Sequence, residues 1–147
     1  MSQDLELAIE AARAGGRIVA KYFKGDYEVT EKAPDNPLTI ADTEADEEIK
    51  RIVLGARPDD GWLSEETRDS EARLSKERVW IVDPLDGTKE FTQHIPEFCV
   101  CVALTVGGVA EVGVSYNPVE DKLFAAARGL GSTLNGEPVS CKPTTEL

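Results

Sequence analysis

The sequence predicts an α+β domain in which two N-terminal helices pack on a mainly antiparallel sheet. Near the N-terminus, apolar residues recur at steps of three and four, which is the period of an amphipathic helix. Beyond Pro58, the apolar runs are short, rich in β-branched and aromatic residues, and separated by glycine-containing turns, as in strands joined by hairpins. Two helices followed by such a meander form a layered domain around one core.

The two predicted helices have clear ends. The first ends at Gly25, and its Gly15-Gly16 pair marks a point of close packing. A loop of turn-forming residues, 33–37, leads to the second helix, which ends at Gly55 and Pro58. The apolar face of the first helix is Leu5, Ala8, Ile9, Ala12, Gly16, Val19 and Phe23, and that of the second is Ala41, Ala45, Ile49, Ile52 and Val53.

The second half of the chain is predicted to form the sheet. Strands are expected at 79–82, 98–106, 111–116 and 122–127, with a shorter one at Trp62-Leu63. The last three long runs are joined through Gly107-Gly108 and Asn117-Pro118. Connections this short join antiparallel neighbours.

The composition is that of a soluble globular protein and disfavours several classes of partner. With 28 acidic and 16 basic residues the net charge is −12, which opposes attraction to nucleic acid polymers and anionic membranes. No apolar run is long enough to span a bilayer, and the N-terminus lacks the basic-then-apolar pattern of a secretory signal. We therefore expect a single cytoplasmic domain over residues 1–147.

The cysteines do not indicate a disulfide framework. Cys99 and Cys101 lie in the apolar run 98–106, where they are expected to be buried small hydrophobic side chains. The spacing of a zinc site, with a second matching pair, is absent from the sequence.

A group of acidic residues directly follows the predicted strand 79–82, in the segment 83–88. Pro84 cannot continue a ladder of hydrogen bonds and Gly87 permits a tight turn, so the chain is expected to bend here. The bend would direct Asp83, Asp86 and the Leu85 carbonyl towards one point, and converging oxygen ligands suit Mg²⁺. The alternative is that Asp83 caps the strand and that Asp86-Gly87 is an ordinary turn.

Other acidic residues are less specific on their own. Glu65 and Glu66 follow the predicted strand at Trp62-Leu63, where they are as consistent with exposure to solvent as with metal binding. Asp42 lies in the first turn of the second helix, where a carboxylate is favourable in any case. Two pairs on that helix have the spacing of solvent-exposed ion pairs, namely Asp46 with Lys50 and Glu47 with Arg51.

Trp80-Ile81-Val82-Asp83-Pro84-Leu85-Asp86-Gly87-Thr88 closely resembles the signature of the inositol monophosphatase superfamily. The resemblance continues in order along nearly the whole chain. It includes Pro37-Leu38-Thr39-Ile40-Ala41-Asp42, Leu63-Ser64-Glu65-Glu66, Tyr116-Asn117-Pro118, Gly129-Leu130-Gly131 and Asn135-Gly136.

This resemblance implies a site that holds two or three Mg²⁺ ions. The implied metal ligands are Glu65, Asp83, the Leu85 carbonyl and Asp86, with Asp83 shared between ions. The implied catalytic residues, which orient and activate the attacking water, are Asp42 and Thr88, with Glu66 in the outer shell. The implied phosphate contacts are the backbone amides of Gly87 and Thr88, together with Lys32.

The implied activity is Mg²⁺-dependent hydrolysis of a small phosphorylated substrate, in a lithium-sensitive family. The segment Thr88-Lys89-Glu90-Phe91 looks most like the branch acting on 3′(2′),5′-bisphosphate nucleotides, which favours that substrate over an inositol monophosphate. Family members continue into a second α/β domain whose Trp-Asp motif completes the metal site, and neither Trp62 nor Trp80 is followed by aspartate. The chain is thus expected to be an N-terminal metal-binding domain without its C-terminal domain.

Such a half-protein is expected to be weakly active or inactive alone. It would expose apolar surface, which favours a homo-oligomer or a complementing C-terminal domain.

Two other functions remain open. A haloacid dehalogenase-type aspartyl-phosphate phosphatase also has acids and Gly-Thr after a strand. Its two aspartates are separated by a single residue, whereas Pro84 and Leu85 both intervene here. A noncatalytic fragment that binds magnesium or a partner is the other alternative. Trapping of a phospho-aspartate would identify the first, and metal binding without hydrolysis the second.

Overall fold

The computed structural model describes residues 2–25, 29–33 and 36–143, and gives the backbone alone for 29–33 and 36–39. Two long helices, α1 (Gln3–Phe23) and α2 (Ile40–Ala56), pack on one side of a seven-stranded sheet. Both helices lie where the apolar period predicts them. The predicted α+β layered fold is therefore confirmed.

The sheet has the order β3-β4-β5-β6-β7-β8-β9. Every neighbouring pair is antiparallel except β3 and β4, which run in the same direction. A five-residue helix, α3, follows β4. The bounds are β3 Gly61–Ser64, β4 Arg78–Asp86, α3 Thr88–Thr92, β5 Cys99–Val106, β6 Val109–Asn117, β7 Lys122–Ala127, β8 Gly131–Leu134 and β9 Glu137–Val139.

The prediction of a loop over residues 33–37 is wrong for Ala33, Asn36 and Pro37, which lie in strands, while residues 34 and 35 lie outside the described part of the chain. Strands β1 (Val29–Ala33) and β2 (Asn36–Thr39) form an antiparallel hairpin there, with Glu31 opposite Pro37. Proline is tolerated in such a ribbon because each strand has one edge with no neighbour to receive an N–H. The described residues on both sides of positions 34 and 35 are thus paired strands.

The core lies between the helices and the inner face of the sheet. Alternate residues of β4, β5 and β6 are buried there, including Trp80, Val100 and Val114. The Gly15-Gly16 pair is the predicted packing point. A Cβ on Gly15 would lie 2.6 Å from the Ile49 side chain, and one on Gly16 would lie 2.6 Å from the Tyr116 ring.

The outer face of the sheet is only partly covered. Cross-strand register places Asp83, Cys101, Ser115 and Phe124 in one row across β4 to β7 on this face. Phe124 is 47% exposed, and Ile81, on the same face of β4, is 40% exposed. Apolar surface is present as expected, and self-association through it stays a prediction. No helix in the described ranges has the length and apolar composition needed to cross a membrane.

Candidate active site

The end of β4 is shaped by a β-bulge. Asp83 pairs with Cys101 and Asp86 pairs with Cys99, so the two residues between the aspartates have no partners in the ladder. The Leu85 amide donates a hydrogen bond to Asp83 Oδ1 at 3.2 Å, and the Leu85 side chain is buried. The bend expected at Pro84 is therefore present as a bulge, and it keeps both aspartates at the end of the strand.

The parallel pairing of β3 and β4 brings the glutamates to the same place. Ser64 lies opposite Val82, so Glu65 leaves β3 beside Asp83. The carboxyl ends of two parallel strands meet at one edge of a sheet. The sequence pattern did not reveal that β3 and β4 are parallel.

Asp46 holds the segment that contains Glu65 and Glu66. It is buried, and its carboxylate accepts hydrogen bonds from the hydroxyls of Ser64 and Thr67, on either side of Glu65-Glu66. The prediction of an exposed Asp46–Lys50 pair is thus wrong, because the residue faces β3. A signal was present in the sequence, since Asp46 falls in the helical stripe that also contains Ala45 and Ile49.

The neighbouring predicted pair also differs from the structure. Arg51 forms its ion pair with Glu48 at 2.8 Å instead of with Glu47. Spacings of three and four residues both bring side chains together on a helix, so the pattern does not distinguish them. This pair is exposed and does not contribute to the site.

The surroundings of Asp83 disfavour its ionised form. Burial, followed by the negative charge of Glu65, raises the pKa of Asp83 to about 6 from its ordinary value of 3.8, and Asp86 and Glu66 add to the effect. The charges of Glu65, Asp86 and Glu66 thus all oppose its ionisation. A carboxylate in this environment is stabilised by a cation.

The other predicted site residues lie around this edge. Asp42, in the first turn of α2, is 1% exposed. The Thr88 hydroxyl donates to the Leu85 carbonyl at 3.0 Å, at the start of α3. Gly87 has φ +90°, a conformation that favours glycine. Lys32 lies in β1, and its side chain is outside the described part of the chain.

The thiols of β5 differ from expectation. Cys99 and Cys101 are partly exposed on the outer face, so their interpretation as buried side chains is wrong. Their Sγ atoms are 3.6 Å apart. The hydrogen bond with Cys101 lowers the pKa of Cys99 to about 7, and the same contact together with burial raises the pKa of Cys101.

Among the described residues, the donor atoms that all lie within 4.8 Å of one another belong to Asp86, Cys99 and Cys101. This group does not include Glu65 or Asp83. Glu65, Asp83 and Asp86 lie at the same edge of the sheet, but their carboxylate oxygens are not all within 4.8 Å of one another. A shared ion would require their side chains to rotate towards each other.

An open depression of about 510 Å³ lies next to the bulge. Its walls include Asp86, Gly87, Ser115, Lys122 and Phe124. Its volume lies within the range of small-molecule sites. A ligand placed there would contact the turn between β4 and α3.

Replacing Asp46 with alanine is expected to destabilise the protein by about 2 to 4 kcal/mol, because two hydroxyls lose a charged acceptor. Denaturant unfolding followed by the fluorescence of Trp62 and Trp80 measures this. Glu47→Ala, an exposed change on the same helix, is the control and should cost less than about 0.5 kcal/mol. Equal effects of the two substitutions would contradict the role given to Asp46.

Comparison with known proteins decides the family. The model of the inositol monophosphatase family matches residues 1–147. The chain belongs to this family. A histidinol-phosphatase from Chlorobaculum parvum, 37% identical, matches over 99% of this chain and 56% of its own length. Inositol monophosphatase 1 from Solanum lycopersicum, 34% identical, matches over 100% of this chain and 55% of its own length.

Solved structures give the same result for the fold. The crystal structure of extragenic suppressor protein suhB from Bartonella henselae superposes with a TM-score of 0.90 at 33% identity. The match covers 99% of this chain and 56% of that one. As a member of the inositol monophosphatase family, the chain spans about half the length of the relatives it matches.

Proposed function

We propose that this chain carries most of the active site of a Mg²⁺-dependent phosphomonoesterase that hydrolyses a small phosphate ester. The observation that supports this best is the position of Asp83 among carboxylates, where burial and Glu65 raise its pKa to about 6. Four acidic side chains in a member of this phosphatase family need a cation, and hard oxygen donors favour magnesium.

Glu65, Asp83, Asp86 and the Leu85 carbonyl are the proposed magnesium ligands, for two or three ions. When bound, magnesium supplies Lewis acidity, which neutralises charge on the ester and activates water for attack. The bulge holds Asp83 and Asp86 at the end of β4, and Asp46 holds the Glu65-Glu66 segment beside them. Glu66 is proposed to act from the outer shell.

Asp42 and Thr88 are the proposed positioning groups for the attacking water. The Thr88 hydroxyl donates a hydrogen bond to the Leu85 carbonyl. The lone pairs of the hydroxyl oxygen are therefore left to accept a hydrogen bond from water. Asp42 is a nearly fully buried carboxylate near the start of α2, where it can accept a proton. The amides of Gly87 and Thr88, with Lys32, are the proposed phosphate contacts.

The proposed substrate is a 3′(2′),5′-bisphosphate nucleotide, and an inositol monophosphate is the second choice. The support is the segment that starts α3, Thr88-Lys89-Glu90-Phe91. Glu90 lines the depression beside the bulge, which is the proposed substrate site. The histidinol-phosphatase relative adds histidinol phosphate to the substrates that need testing.

A complete site is proposed to require a second domain, because the relatives are about twice as long as this chain. The chain alone is therefore proposed to hydrolyse weakly, and a complementing domain or another copy of the chain to raise the rate. A noncatalytic magnesium- or partner-binding role is the alternative, with the aspartyl-phosphate mechanism less favoured.

The test is phosphate release from adenosine 3′,5′-bisphosphate, inositol 1-phosphate and histidinol phosphate, with Mg²⁺ and with a chelator. We expect Mg²⁺-dependent release that falls at least about 100-fold in Asp83→Asn, since a ligand lost from the ion removes several kcal/mol of transition-state stabilisation. Asp59→Asn, which removes an exposed carboxylate, should leave the rate unchanged.

Each alternative has its own result in the same experiment. Magnesium binding without release from any of the three esters would favour the noncatalytic role. A phosphoryl group trapped on Asp83 would favour the aspartyl-phosphate mechanism. Release that is equal with Mg²⁺ and with chelator would refute the proposed function.

A further inference from the structure

We propose that Asp86, Cys99 and Cys101 form a binding site for a thiophilic divalent cation, with zinc as the ion of matching chemistry. The site lies on the outer face of the sheet, beside the β-bulge. It goes beyond the proposed hydrolysis and does not depend on it, although it includes one of the proposed magnesium ligands.

The local structure explains why these three side chains meet. Residues two apart on a strand point to the same face, so Cys99 and Cys101 lie side by side along β5. The bulge in β4 shifts the register by one residue and sets Asp86, instead of Leu85, opposite Cys99. One carboxylate is thereby added to a pair of thiols.

Two of the three donor separations are close to those around a tetrahedral zinc ion, and the third is within 4.8 Å. With Zn–S bonds of about 2.3 Å, tetrahedral angles place two thiolate sulfurs about 3.8 Å apart, and a Zn–O bond of about 2.0 Å places oxygen and sulfur about 3.5 Å apart. The observed separation of the Cys99 and Cys101 sulfurs is 3.6 Å. Cys99 Sγ and Asp86 Oδ2 are 3.9 Å apart. Each separation differs from the ideal by a few tenths of an ångström.

The donor set selects the kind of ion. Two thiols and one carboxylate suit zinc and softer ions, whereas magnesium takes oxygen ligands and does not bind thiols. Ser115 lies opposite Cys101 on the neighbouring strand β6 and adds a hydroxyl to the same face of the sheet. Asp86 is exposed and both cysteines are partly exposed, so an ion can reach them from solvent.

The probe is cadmium, a spectroscopic substitute for zinc, added to the reduced protein without magnesium. We expect one equivalent to produce the ultraviolet absorption of cadmium-thiolate bonds. Cys99→Ser, Cys101→Ser and Asp86→Asn should each weaken binding at least tenfold. Cys141→Ser, which removes the exposed third cysteine, should bind as the unaltered protein does. Unchanged affinity in any one of the first three variants would overturn the three-ligand site.

A second measurement needs no substitution, which guards against variants that fail to fold. One equivalent of zinc should protect Cys99 and Cys101 from alkylation by iodoacetamide, while Cys141 reacts at its full rate. Peptide mass spectrometry assigns the labels. Equal labelling of all three cysteines with and without zinc would refute the proposal. Because neither measurement uses magnesium or a phosphate ester, a failure here is distinct from a failure of the proposed hydrolysis.

Discussion

The Asp83→Asn variant is expected to be more stable than the unaltered protein at neutral pH in the absence of metal. In the unaltered protein, the ionised carboxylate is half-buried beside other acids, which raises its pKa to about 6. Asparagine removes that charge and keeps an oxygen that can accept the Leu85 amide. We expect a gain of about 1 to 2 kcal/mol at pH 7, after allowance for solvent screening of a half-buried group.

The gain should depend on pH in a defined window. The folded-state pKa of Asp83, about 6, lies above its ordinary value of 3.8. Below both values the carboxyl is neutral in the folded and the unfolded protein, so Asp83 does not change the free energy of unfolding through its charge. As the pH rises from about 4 to about 6 the unfolded chain ionises first, and the unaltered protein loses stability relative to the variant. Above that window the difference between the two proteins is constant.

Magnesium should reverse the order of stability. An ion that binds the folded state stabilises it in proportion to the logarithm of its concentration, so the unaltered protein should gain thermal stability and the variant should not. Thermal unfolding across the pH window, with Mg²⁺ and with chelator, measures both effects. Asp59→Asn is the control for loss of one acidic charge and should follow the unaltered protein. A variant less stable than the unaltered protein at pH 7 without metal would contradict the role of Asp83.

Gly87→Ala is expected to cost about 2 to 4 kcal/mol, from the left-handed backbone together with overpacking. The residue has φ +90°, and an added Cβ would lie 2.9 Å from the Glu97 carbonyl oxygen and 3.1 Å from the Phe98 Cβ. Relief of these contacts would move the turn that joins Asp86 to Thr88. We therefore expect a lower unfolding midpoint and a smaller stabilisation by Mg²⁺.

Gly129→Ala separates the two causes. Gly129 has φ +76°, but nothing lies within 4 Å of an added Cβ. This control should cost about 1 kcal/mol, from the backbone alone. If both variants were destabilised equally, the close contact of Gly87 with the 97–98 segment would have no energetic role. Chemical denaturation of the two variants in parallel gives the comparison.

The pattern of apolar residues is sufficient to locate α1, α2 and the antiparallel strands β4 to β7. Each of these elements buries one face against the same core, so its pattern repeats with the geometry of the element. The bend after 79–82 is also predictable, because Pro84 cannot take part in a ladder. The order of acids along β4 then indicates which side chains lie at its end.

Features that depend on distant partners could not be predicted in this way. The parallel pairing of β3 with β4 sets Glu65 beside Asp83, yet β3 is four residues long and carries no directional signal. Asp46 has the spacing of a surface ion pair, but its partners are the hydroxyls of Ser64, at the end of β3, and of Thr67 beyond it. The thiols of β5 meet Asp86 only because the bulge shifts the register.

The parallel pair has a consequence for where this chain tolerates changes in length. The crossover from β3 to β4, residues 65–77, includes the exposed 3₁₀ turn Glu71–Ser75. Because the entropy of closing a loop grows slowly with its length, extra residues near that turn should be accommodated. A single residue inserted within β3 would instead exchange the two faces of the strand and turn Glu65 away from Asp83. A scan of insertions through this region should therefore show a boundary between damaging and neutral positions just after Thr67, the last residue held by Asp46.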